Sequence, residues 1–220
     1  MVSEGDSERA QVGQALHQAA LRWPERIAVC DAGSEGLEAQ EITYAKLDAM
    51  ARRAAAVLAA RGVSAGDAVA LCGENSPQLM AAWFGIVYAG AAAVPVPILS
   101  AVPEVQERVT HARCKWLVHD AARRELATQA AASLCLPLEA LSDASVPPLA
   151  QPADTRALDT AMVLYTSGTT GKAKGAEISH ASLSRHTAAL CEHVLRLRAG
   201  DVVLCALPLT HSYGIRMAML

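Results

Sequence analysis

Short apolar runs alternate along this chain with longer segments whose apolar positions return every third or fourth residue. Unbroken or period-2 apolarity marks strands, and a period near 3.6 marks helices. Ile27-Ala28-Val29-Cys30 and the shorter Glu41-Ile42-Thr43 read as extended. From Tyr44 to Arg61, Leu47, Met50, Ala54, Val57 and Leu58 recur at helical spacing, and Gly62 supplies the stop. Asp67 to Cys72 is the next strand. Leu79 to Ser100 carries no charge, yet Gly85, Gly90, Pro95 and Pro97 divide it, which argues against a membrane span. It resolves into a buried helix, Pro77 to Tyr88, with Gly90 at its stop, and a buried strand, Ala92 to Val96.

Beyond that point Glu104 to Ala112 reads as helical, Trp116-Leu117-Val118 as extended, Ala121 to Ala132 as helical and Leu134 to Leu138 as extended. Ser142 to Leu158 holds Pro147, Pro148 and Pro152 and reads as a linker or long surface loop. Ala161 to Tyr165 is a buried strand, and Ala176 to Ser179 a short extended piece. His180 to Leu195 is helical, with Ser179 as its N-cap. Asp201 to Ala206 reads as a strand, and Tyr213 to Leu220 opens a helix. Alternation of this kind predicts an α/β fold with a largely parallel sheet flanked by helices.

Bulk properties narrow the function classes. A length of 220 residues suffices for one sizeable core or two small ones. A net charge of −3 with scattered Lys and Arg excludes a general nucleic-acid binder. The six cysteines, Cys30, Cys72, Cys114, Cys135, Cys191 and Cys205, form no C-x-x-C pair and no zinc spacing, so no metal ligand set is assigned. Free thiols and a polar, acidic start, Met1 to Arg9, fit a cytoplasmic protein without a signal peptide.

The densest chemistry lies in Tyr165-Thr166-Ser167-Gly168-Thr169-Thr170-Gly171-Lys172-Ala173-Lys174-Gly175. Glycines let the backbone turn through positive φ and approach a ligand closely. Successive N–H groups in such a turn form an anion-binding concavity, to which hydroxyls add donors and lysines add charge. A polyphosphate is the ligand that best uses this set. The loop is not a Walker A loop, because only two residues separate Gly168 from Gly171 and Ala173 follows Lys172.

This segment resembles the phosphate loop of the adenylate-forming (AMP-binding) superfamily, which includes acyl- and aryl-CoA synthetases, firefly luciferase and the adenylation domains of peptide synthetases. It departs from that pattern at Ala173, where the family carries Pro, which gives the loop more backbone freedom. Three further segments follow the family in order: Ile42 to Leu47, Tyr88 to Val96, and Leu207-Pro208-Leu209-Thr210-His211-Ser212-Tyr213-Gly214. The resemblance implies the N-terminal portion of an adenylate-forming domain, like that of the large domain of acyl-CoA synthetases and luciferase. It implies ATP and Mg2+ as cofactors, a small organic, fatty or aryl carboxylic acid as substrate, and coenzyme A or a carrier-protein phosphopantetheine as acceptor. Thr166, Ser167, Gly168, Thr169, Thr170, Gly171 and Lys174 would hold the phosphates. Lys174 and His211 are the candidate catalytic residues, with His211 beside the acyl site. The family's later motifs are expected outside these residues, so this part alone is expected to be inactive. The alternative is a non-catalytic module that binds a nucleotide or an acyl-adenylate.

Overall fold

The computed structural model of the chain describes residues 11–33, 39–166 and 174–217. Helix α1 (Val12–Arg22) leads into an antiparallel pair, β1 (Ile27–Asp31) and β2 (Gln40–Thr43). Thr43 then caps α2 (Tyr44–Ala60), its hydroxyl accepting from the N–H of Lys46. Beyond α2, Gly62 sits at φ +84°, the left-handed conformation that glycine takes without penalty. Strand β3 (Ala68–Cys72) is followed by α3 (Pro77–Tyr88), where Ser76 caps and Pro77 occupies the first turn. Gly90, at φ +75°, separates α3 from β4 (Ala92–Pro95).

The chain continues through α4 (Val102–His111), β5 (Cys114–His119), α5 (Arg124–Ala131) and β6 (Cys135–Pro137). Strands β7 (Thr160–Thr166) and β8 (Lys174–Ser179) pair antiparallel. Helix α6 (His180–Ala189) runs on into a π-helical turn, Leu190–Leu195, and ends at Arg196 in the left-handed region. A short α7 (Ser212–Met217) follows.

Six strands form one sheet in the order β6-β5-β3-β4-β7-β8. The first five are parallel, and β8 is the antiparallel edge. Side chains alternate between its faces, apart from the start of β7, where the register with β8 shifts. Val69, Leu71, Ala93, Val118, Leu136 and Met162 pack with α1, α2 and α3. Ala70, Cys72, Val94, Leu117 and Val163 face α4 and α5. Because both faces are covered, the central strands read as continuous apolar runs. On the α2 side Asp48, only 4% exposed, accepts from Tyr88 Oη (2.8 Å), Arg52 Nε (2.8 Å) and the His17 ring (3.1 Å), tying three helices together. Burial and this carboxylate push the Tyr88 hydroxyl far above its ordinary pKa.

Four expectations change. Val12–Arg22 is a helix that the sequence reading left unassigned. The helix expected over Ala121–Ala132 begins as a 3-10 turn, Ala121–Arg123, and becomes α-helical only at Arg124. The helix expected over His180–Leu195 stays α-helical only to Ala189. Asp201 to Ala206 is not a strand: Val202 is 90% exposed and Leu204 88%, and no neighbouring strand among the described residues offers them a ladder. Residues 142–158 run as an irregular strap, its carbonyls at Asp143, Val146 and Leu149 held by Arg53 and Arg52, and Ala153 N–H bound to Tyr88 O. Among the described residues, no helix is long and apolar enough to cross a membrane.

Candidate functional site

Two adjacent strands of a parallel sheet whose following helices lie on opposite faces leave a crevice at their carboxyl ends. Strands β3 and β4 are such a pair: α3 covers one face and α4 the other. The end of β7 lies on the same edge, one strand beyond β4. This edge collects the sequence-derived candidates that the structure describes.

Thr166 is the last residue of β7 and Lys174 the first of β8, and the two are register partners across the hairpin. Both are exposed. They are the posts of the glycine- and hydroxyl-rich loop, whose remaining candidates, Ser167, Gly168, Thr169, Thr170 and Gly171, lie outside the described residues. The strands fix the posts from below. Tyr165 places its hydroxyl 2.7 Å from His111 Nδ1 and donates to Arg108 O at 3.4 Å, joining β7 to α4. Burial pushes its pKa upward. Gly175 stands opposite Tyr165, where a Cβ would lie 3.2 Å from the tyrosine ring and 3.1 Å from Val163. Glycine there lets the ring lie across the edge strand.

His211 is exposed at the start of α7. Its N–H donates to Pro208 O (2.9 Å), and its Nδ1 accepts from Tyr213 N–H (3.3 Å). Gly214 has a strict role in this turn: a Cβ would fall 2.0 Å from Pro208 O. Leu209 and Ile215 anchor the segment in the core, at 5% and 1% exposure. Asn75, in the turn after β3, hydrogen-bonds Leu207 and Leu209 and brings the segment to the carboxyl edge of the sheet. In the sheet order β3-β4-β7-β8, the strand that leads to Asn75 lies two strands from the one that carries Thr166 and three from the one that carries Lys174.

Sequence reasoning missed Asn75, His111 and Asp120. The Asp120 carboxylate accepts from Glu74 N–H (2.7 Å) and Arg123 N–H (2.9 Å), fixing the turn that carries Asn75. Gly73 leaves room for it, since a Cβ there would lie 3.0 Å from Asp120 Oδ2. Among the described residues no three His, Cys, Asp or Glu side chains cluster as a metal site. The described edge thus presents the Thr166 hydroxyl, the Lys174 ammonium and the His211 imidazole, and its described residues supply no carboxylate set for Mg2+. An open depression lined by Gln11 and residues 154–159 sits at the amino end of β7, on the opposite edge.

Comparison with known proteins identifies the family and the fold. The family model described as AMP-binding enzyme matches residues 16–220, and the chain belongs to that family. It is 38% identical over 143 residues to tyrocidine synthase 3 of Brevibacillus parabrevis, covering 64% of the chain and 2% of that protein. It is 32% identical over 186 residues to a feruloyl-CoA synthase of Amycolatopsis sp, covering 81% of the chain and 36% of that protein. The solved N-terminal domain of FACL13 from Mycobacterium tuberculosis superposes with a TM-score of 0.81 at 28% identity, covering 95% of the chain and 54% of that domain. The chain thus spans about a third of that CoA synthase and about half of the solved domain.

Proposed function

We propose that the intact protein activates a carboxylic acid with ATP and passes the acyl group to a thiol. A carboxylate oxygen attacks the α-phosphorus of ATP, the α–β bridging bond breaks, and pyrophosphate leaves with that electron pair. The thiolate of coenzyme A or of a carrier-protein pantetheine then attacks the acyl carbon and releases AMP. Thr166, Ser167, Gly168, Thr169, Thr170 and Gly171 cradle the phosphates, and the Lys174 ammonium offsets the negative charge that develops on the leaving pyrophosphate. His211 borders the acid. Holding two anionic reactants in line is the main physical task, and a rigid sheet edge suits it. The observation that supports the reading is the Thr166–Lys174 pair, which sets both ends of the glycine- and hydroxyl-rich segment at the carboxyl end of β7.

The acid is the finer part of the proposal. Within the resemblance, His at position 211 favours a fatty, aryl or other small organic acid over an amino acid. The relatives' names include both a tyrocidine synthase and a feruloyl-CoA synthase, so the acceptor rests on assay. ATP–pyrophosphate exchange on the full-length protein with a panel of acids tests the reading. Lys174→Ala and the double variant Thr169→Ala/Thr170→Ala each remove charge-assisted phosphate contacts, worth about 1.5–3 kcal/mol, or roughly 10- to 150-fold in rate. Exchange at the wild-type rate in both variants would sink the phosphate-loop assignment.

A further inference from the structure

The amide of Asn75 meets the backbone of the His211 segment at two points. Its Nδ2 donates to Leu207 O at 2.8 Å, and its Oδ1 accepts from Leu209 N–H at 2.7 Å. Leu207 lies at a bend and Leu209 in the turn that His211 N–H closes on Pro208 O. An asparagine amide offers both a donor and an acceptor, so one side chain bridges the carbonyl and the N–H on either side of Pro208. Pro208, between them, has no N–H to satisfy. The orientation of the amide is fixed by its partners, because a flipped amide would set oxygen against oxygen and N–H against N–H.

The partners lie 132 and 134 residues from Asn75 in sequence, and the segment before them, 201–206, has no ladder of its own. Asn75 is itself held from below. Glu74 N–H is bound to Asp120 at the end of β5, and Arg123 lies 3.6 Å from the Glu74 carboxylate. Hydrogen bonds at Glu74 and Asn75, joined through the backbone of the turn after β3, therefore link Asp120 to the backbone two residues ahead of His211. The turn from His211 backbone N–H to Pro208 O fixes the backbone that carries the imidazole, whose Nδ1 accepts from Tyr213 N–H.

We propose that Asn75 is a positioning residue: it sets the register of Leu207 to His211 on the sheet edge and, through it, the place of the imidazole beside the acid. The kinetic half of this rests on the acid-activating reading above, and the structural half does not. Asn75→Ala removes both bonds. Asn75→Asp keeps an acceptor for Leu209 N–H but sets a carboxylate oxygen against Leu207 O.

Two measurements on the full-length protein decide it. The first is amide hydrogen exchange resolved at Leu209, expected to speed up about tenfold or more in Asn75→Ala and to stay near wild type in Asn75→Asp. The second is the pyrophosphate-exchange KM for the preferred acid. It is expected to rise at least fivefold in Asn75→Ala, with the KM for ATP changed less than twofold and Tm within a few degrees of wild type. Unchanged Leu209 exchange overturns the clamp. Equal shifts in both KM values, or an acid KM within twofold of wild type, overturn the positioning role. A wild-type protein that exchanges pyrophosphate with no acid would refute the acid-activating reading instead, and Leu209 exchange would still decide the clamp.

Discussion

His180 stands at the first position of α6 with 1% of its surface exposed, and its Nδ1 finds no hydrogen-bond partner among the described residues. Burial disfavours the imidazolium and lowers its pKa below the ordinary 6.5, and the nearby Asp159 charge offsets only part of this. The sign of the pH effect follows. Between the folded pKa and 6.5 the unfolded chain binds the proton and the folded chain does not, so stability rises with pH across that window. This contribution is complete above pH 6.5 and is lost as pH falls through the folded pKa. Asp143 and Asp159 have pKa values held below 3.8 by local hydrogen bonds, so they do not act in the same window. Urea midpoints at pH 7.5, 6.5 and 5.5 are therefore expected to fall more steeply in wild type than in His180→Gln. Equal slopes would show that His180 takes its proton as easily folded as unfolded. Nothing local in the sequence marks this residue as buried, since it follows a polar cap, Ser179, and only the packing of α6 on the sheet encloses it.

At the scale of elements, α2 and α3 cross at Gly85. A Cβ there would sit 2.5 Å from Ala54 Cβ, 3.1 Å from Ala51 O and 3.2 Å from Ala55 N. Two effects oppose each other in Gly85→Ala. Alanine improves helix propensity by about 0.5–1 kcal/mol. Forcing two packed helices apart costs about 1–3 kcal/mol, and here the obstacles include backbone atoms that cannot rotate away. The clash outweighs the propensity, so urea denaturation is expected to show a net loss of about 1–2 kcal/mol. A variant as stable as wild type would mean that the helices slide at no cost. The same pair shows which elements the sequence made legible. Helix α3 was readable because Ser76-Pro77 and Gly90 bracket an unbroken apolar run. Helix α1 was missed although Val12, Leu16 and Ala20 share a face, because its N-cap, Gln11, makes no side-chain cap bond and polar residues interrupt the run. Asp201 to Ala206 carries a strand's composition but has no ladder partner among the described residues, and a partner is a property of the fold. The site divides likewise. The loop was legible in its glycines and hydroxyls, whereas the Thr166–Lys174 register and the Asn75 contacts arise only when distant segments meet.

For the molecule as a whole, the two cores behave as one cooperative unit only if the sheet between them opens in a single step. The cysteines supply probes on both sides of that question. Cys72 and Cys114 lie in the core under α4 and α5, and Cys30 is exposed on β1. Burial pushes the Cys72 thiol up to about 11 and the Cys114 thiol up to about 12. At pH 8 both are almost wholly protonated, and the thiolate is the reactive form. Chemical and steric protection therefore act together. With a thiol reagent at pH 8 Cys30 is expected to react first, and Cys72 and Cys114 at least about a thousandfold more slowly, since they wait for opening of the core. Because β3 and β5 are adjacent and share α4 and α5, the two slow thiols are expected to react at a common rate that tracks the urea dependence of global unfolding. Mass-resolved labelling across a urea series measures this. A fast Cys114 with a slow Cys72 would show that the α4–β5 edge opens separately from the sheet centre. Two fast thiols would show that the second core is not closed at all.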